Sequence, residues 1–151
     1  MQPRPLTSPA RWMGLDLGLR WWGISLSDVH LRTARPLAVL DARDRAAAVR
    51  RIRTWIQAYA VQRMIVGIPL RNGAWTTAAE RVFHLCGYLR RRLRGVEWRF
   101  VDETETTWNA RLLTPPGRRD DAWAAALILQ RGLEHPDTLW TWKDLLRLRA
   151  S

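Results

Sequence analysis

The sequence predicts an α/β fold, with a mixed five-stranded sheet of three antiparallel strands followed by two parallel ones, flanked by helices. Three observations predict it. Three short apolar runs with tight connections open the chain between Trp12 and Leu40. The apolar period then changes from strand-like to helical. Beyond that point strand-like and helix-like segments alternate, and strands joined through helices pair parallel.

The elements follow in order. Residues 12–18 are apolar with one acid, Asp16, as a buried strand would be. Leu19 and Arg20 turn the chain. Residues 21–27 alternate as a second strand and end at Asp28. Residues 33–40 read as a third, and Pro36 assigns it to an edge. Residues 44–60 place Ala47, Ala48, Ile52, Trp55, Ile56 and Tyr59 at helical spacing. Residues 63–68 form a short β-branched strand stopped by Pro69. Thr77 and Glu80 read as a capping box for a helix that runs to about Arg94 and ends near Gly95. Residues 97–101 are the fifth strand, 106–113 a short helix, and 121–133 a further helix stopped before Pro136. Leu139, Trp142, Leu145, Leu146 and Leu148 suggest an amphipathic tail helix. The expected organisation is a disordered lead (1–11) with Pro3, Pro5 and Pro9, one domain (12–135), and the tail (136–151).

Composition narrows the function. The chain has 151 residues, enough for one domain with a real core, and 47% hydrophobic with 26% charged residues argues against disorder. No apolar run approaches the ~20 residues that cross a bilayer, and the lead lacks the apolar segment of a signal peptide. Cys86 is the single cysteine, which excludes a disulfide framework and a cysteine zinc site. A cytoplasmic protein is expected. The net charge is +11, with Lys143 the only lysine. A GC-rich genome favours Arg over Lys but does not produce the net charge. Such a basic domain is expected to bind RNA or DNA. Arginine suits that role because its planar fork meets phosphate bidentately and stacks on bases.

Against this charge, acids stand in three patterned places. Asp16 lies within the first strand. Asp102 and Glu103 close the fifth. Asp120 and Asp121 open the Ala-rich helix. A lone Asp in an apolar strand is costly to bury and hard to explain structurally. Glu103 reads equally well as an exposed acid beside a turn. Asp120 and Asp121 read also as an N-cap and a first-turn acid complementing the helix dipole. In the expected sheet, however, Asp16, Glu103 and Asp121 converge. Three converging carboxylates repel unless they hold protons or a cation. Hard oxygen ligands suit Mg²⁺ or Mn²⁺. A pair of such ions supports phosphodiester hydrolysis.

These residues bring the chain to a known family. Gly14-Leu15-Asp16-Leu17-Gly18 with Gly23-Ile24-Ser25-Leu26-Ser27-Asp28 resembles the opening strand pair of the YqgF/RuvX family of RNase H-like nucleases. Members of that family are described as pre-16S rRNA nucleases or Holliday-junction resolvases. Ile65-Val66-Gly67-Ile68-Pro69-Leu70 with Asn72 and Gly73 resembles its central strand and loop. Phe100-Val101-Asp102-Glu103 with Thr106 and Thr107, and Asp121 through Gln130, resemble its second acidic strand end and closing helix. The resemblance implies Asp16, Glu103 and Asp121 as catalytic and metal-binding acids, with Mg²⁺ or Mn²⁺ at a two-metal site. It implies nucleic-acid contacts from Arg20, Arg71, Asn72, Arg118 and Arg119. Gly18 and Gly23 would let the backbone turn beside the metal, Asp102 would be structural, and Asp120 would cap the helix.

Two departures concern the substrate. Leu19 stands where the family has Thr or Ser, and the stretch between Leu113 and Asp120 is short and Pro-rich. They motivate an alternative, an RNase H-like nucleic-acid-binding module with weak or no catalysis. Asp16-x-Gly18 also resembles the phosphate loop of sugar kinases and actin-like ATPases, but those need two such domains and a far longer chain. Resolving a four-way junction takes two cuts and thus a homodimer, whereas other substrates leave a monomer sufficient.

Overall fold

The computed structural model describes residues 10–104 and 120–151. The lead to residue 9, the helix expected at 106–113, Trp108, Arg118 and Arg119 lie outside the described residues.

Five strands form one sheet: β1 (Arg11–Leu17), β2 (Trp21–Ser27), β3 (Ala34–Asp41), β4 (Val61–Ile68) and β5 (Glu97–Asp102). Their order across the sheet is β3-β2-β1-β4-β5. β1 and β2 pair antiparallel, as do β2 and β3. β4 pairs parallel to both β1 and β5. The expected mixed sheet is present, with β3 at an edge where the missing N–H of Pro36 is tolerated. Among the described residues the α-helices are α1 (Arg45–Ala58), α2 (Thr77–Arg92), α3 (Asp120–Glu134) and α4 (Trp142–Ala150).

The sheet is covered on both faces. Met13, Leu15, Leu17, Trp22, Ile24, Met64, Val66 and Phe100 share one buried cluster with Val49 and Ile52 of α1 and with Val82, Cys86 and Leu89 of α2. Trp12, Ile65 and Val101 pack on the opposite face against Ile128 and Leu129 of α3. β1 and β4 are therefore buried on both sides, which explains their nearly unbroken apolar sequences.

The Thr77–Glu80 capping box is not formed. Thr76 is the N-cap, and its hydroxyl accepts from Ala79 N at 3.0 Å. Glu80 is drawn elsewhere. Its carboxylate accepts from Trp75 Nε1 at 2.9 Å and from Arg149 Nε and Nη2, both at 2.7 Å. With Thr76 as the cap, the N3 position falls on Ala79, so Glu80 stands one residue too far along to return a bond to the cap.

The tail packs on its own domain. Phe100 and Trp140 exchange backbone hydrogen bonds of 2.9 Å in both directions, which covers the free edge of β5. Trp142 stacks on Phe83 with ring centroids 4.8 Å apart, and Leu145 is fully buried.

Candidate active site

Parallel strands β1, β4 and β5 end together, and the acids gather at that end. This is where ligands meet open α/β sheets. Asp16 is the sixth of seven residues of β1, nearer the end of the strand than its midpoint, and is only 7% exposed. Glu103 follows β5 directly. Its N–H extends the ladder to the Ile68 carbonyl at 2.9 Å, and the residue is 6% exposed. That burial removes the exposed-loop reading of Glu103.

Two glycines make room for this arrangement. Gly23 sits directly opposite Asp16 across the β1–β2 ladder, so both face the same side of the sheet. A Cβ at Gly23 would collide with the Asp121 carbonyl. The first turn of α3 therefore lies against the strand pair that carries Asp16. Gly23 acts as a seat for the helix within β2, not as a turn residue. A Cβ at Gly67 would lie 2.7 Å from Glu103 Oε2 and 2.6 Å from Ile128 Cδ1. The Glu103 carboxylate thus rests on the bare backbone of β4, on the side of the sheet that α3 covers. Ser25 Oγ also ties α3 to the sheet by donating to the Ala125 carbonyl at 2.7 Å.

Asp16, Glu103 and Asp121 are thereby brought to one face and one end of the sheet. Their donors are hard oxygens of the type Mg²⁺ and Mn²⁺ take. Among the described residues, no three His, Cys, Asp or Glu side chains stand close enough together to form a ready-made metal cluster.

Asp102 closes β5. Burial pushes its carboxyl pKa up, and Arg131 offsets this in part. Its Oδ1 is buried and has no hydrogen-bond partner among the described residues.

Of the other predicted residues that the structure describes, all but Asp120 occupy the loops at the same end of the sheet. Gly18 N–H closes the β1–β2 hairpin onto the Trp21 carbonyl at 3.1 Å. Leu19 at its tip is 82% exposed. Arg20 is exposed, with its guanidinium 4.6 Å from the Trp21 ring centroid. Arg71 and Ala74 bridge a tight turn after β4. Asn72 and Gly73 make that turn in the left-handed region, with φ of 49° and 78°. Asp120 opens α3.

Sequence reasoning missed Arg81. This half-buried residue of α2 donates Nη2 to the Leu17 carbonyl at 3.0 Å, one residue beyond Asp16. Burial pulls its pKa down while the negative charge of Asp16 pushes it up. The signal available was a charged residue beside Ala79, Val82 and Phe83, on the helix side that the core takes up.

Comparison with known proteins agrees with this geometry. The family model described as "RuvX: Holliday junction resolvase" matches residues 10–135. A protein of Bordetella parapertussis named "Putative pre-16S rRNA nuclease" is 35% identical over 123 residues, covering 81% of this chain and 92% of its own. Proteins of the same name from Anaeromyxobacter sp. and Roseiflexus sp. are 36% and 37% identical, covering 82% and 85% of this chain and 96% of their own lengths. Among solved structures, Thermus thermophilus RuvC in complex with a Holliday junction substrate superposes with a TM-score of 0.53 at 14% identity, over 85% of this chain and 96% of that one. That likeness concerns the fold, which is RNase H-like. Matched along most of its length by family model and relatives alike, the chain belongs to the RuvX family.

Proposed function

We propose that this protein is a divalent-metal-dependent nuclease that hydrolyses phosphodiester bonds in structured or single-stranded nucleic acid. The substrate class is that of its relatives, precursor 16S rRNA or a Holliday-junction-type structure. The cytoplasm is the compartment such substrates imply. One observation carries the reading: a basic chain buries Asp16 and Glu103 at one sheet end and sets the first turn of α3, with Asp121, against the strand opposite Asp16.

Asp16, Glu103 and Asp121 would hold Mg²⁺ or Mn²⁺, as a single ion or a pair. The ion would lower the pKa of a bound water and neutralise charge on the phosphate. The protein's own part is to keep the acids dry and directed to one face. Gly67 gives Glu103 its resting place. Arg81 ties α2 to the strand carrying Asp16 and adds positive charge beside it. Arg20, Arg71 and Asn72, with Arg118 and Arg119, would meet the strand's phosphates.

Two observations favour the binding-only alternative. Among the described residues no ready-made metal cluster forms, and Leu19 puts an apolar side chain where the family resemblance leads one to expect a hydroxyl. One experiment separates the readings. Wild type and Asp16→Asn are incubated with labelled single-stranded RNA, single-stranded DNA and a four-way junction, in Mg²⁺, Mn²⁺ or EDTA. Metal-dependent cutting is expected, with a loss of about 100-fold or more in the variant. Equal cutting by both proteins, or salt-sensitive binding without cutting, would overturn the nuclease reading.

A further inference from the structure

On the sheet face opposite α3, an open cavity of about 460 Å³ lies behind the β1–β2 hairpin. Gly18, Leu19, Trp22 and Ala42 line it from the sheet side, and Arg45, Arg81, His84 and Leu85 from the helices. Its charged lining is wholly basic. Arg45 is steadied by the Tyr88 ring, 4.8 Å from its guanidinium carbon. Glu80, the carboxylate that His84 contacts at 3.0 Å, is already held by Arg149. Trp22 forms part of the wall, and its Nε1–H is buried without an acceptor among the described residues. Leu19 stands exposed at the mouth. Arg81 joins this cavity to the acidic site, because it lines the one and binds the strand end that carries the other.

We propose that this cavity is a phosphate-binding subsite that holds the nucleic-acid strand beside the bond to be cut. Arg45 and Arg81 are its phosphate ligands, and Leu19 lies against the neighbouring sugar or base. The inference rests on the nuclease reading and deepens it. A strand crossing the end of the sheet meets the acids on one side of the hairpin and this cavity on the other. Two guanidiniums offer the forked donors that phosphate oxygens take. An apolar lip at Leu19 suits a sugar or base face better than it suits water. Its exposure therefore has a use, even though it removes a hydroxyl near the acids.

The test uses the full chain in EDTA, so cutting plays no part in the readout. Arg45→Gln is the informative variant, because Arg81 also supports β1 and its loss would disturb the acids. Binding of a fluorescent single-stranded RNA oligonucleotide is measured across a salt series. Losing one phosphate contact should lower the slope of log Kd against log salt by about 0.7. Arg147→Gln removes the same charge from α4, where Arg147 pairs with Asp144 at 3.6 Å, and should leave the slope unchanged. A second readout is the Trp22 indole N–H resonance, assigned with Trp22→Phe. The oligonucleotide should shift it in wild type and not in Arg45→Gln, and millimolar inorganic phosphate should shift it more weakly. An unchanged slope in Arg45→Gln, or equal flattening in both arginine variants, would overturn the subsite. So would a resonance that moves with inorganic phosphate alone, since the cavity would then serve a free anion. Failure of the nuclease reading shows separately, as absent cutting in the metal assay.

Discussion

A single methyl group at Gly67 would press on both the Glu103 carboxylate and Ile128 of α3. Gly67→Ala should therefore destabilise the fold by about 1–3 kcal/mol, the usual cost of overfilling a packed interior. It should also weaken Mn²⁺ binding, because Glu103 must leave its seat. Urea denaturation and a Mn²⁺ titration read the two effects, and a variant as stable and as metal-responsive as wild type would show that the seat is dispensable. Single residues were legible in the sequence where they broke a pattern. Asp16 stood out because a carboxylate interrupts an apolar strand. Arg81 did not, because its bond to Leu17 spans 64 positions along the chain and no local pattern encodes such a contact. Gly23 has a different use from the one the family resemblance implies: that resemblance points to a turn beside a metal, whereas the helix across the sheet needs the space.

Among the elements, α4 shows how a helix legible only as amphipathic acquires a place. Period alone marked Trp142 and Leu145 as its apolar side. What they meet, the Phe83 ring and the edge of β5, depends on contacts far apart in sequence. The same helix explains where the Glu80 carboxylate goes, since Arg149 of α4 takes it. This pairing, with the Trp75 indole, lowers the Glu80 pKa from 4.5 to about 2. The folded value is depressed, so the stabilisation is complete above the unfolded value of 4.5 and is lost as pH falls toward 2. Glu80→Gln should therefore flatten the acid side of the stability profile between about pH 4.5 and 2, while leaving the profile above pH 6 parallel to that of wild type. Thermal melts across this range measure it. Because Glu80 is exposed, the effect should be modest and should shrink in high salt. An acid limb identical to that of wild type would mean that the Glu80–Arg149 pair does not hold α4 in solution.

For the molecule as a whole, strand directions were legible and strand order was not. Antiparallel pairing followed from tight connections and parallel pairing from intervening helices. That β4 lies beside β1 follows from neither, since both strands are mostly apolar and would suit any central position. Charge was legible at this scale too: a net +11 chain that buries Asp16 and Glu103 at one sheet end brings its polyanion and a cation to the same place. If the acids hold a cation, the cation must stabilise the fold, because it binds the native arrangement and not the unfolded chain. At a hundredfold excess over Kd the gain is about 2.7 kcal/mol. At this chain length each kcal/mol raises Tm by about 2–4 °C. Mn²⁺ should thus raise the Tm of wild type by at least about 5 °C. In Asp16→Asn the gain should vanish. If Mn²⁺ leaves the wild-type Tm unmoved, the acids do not form a metal site, and the basic surface alone would account for the protein's contact with nucleic acid.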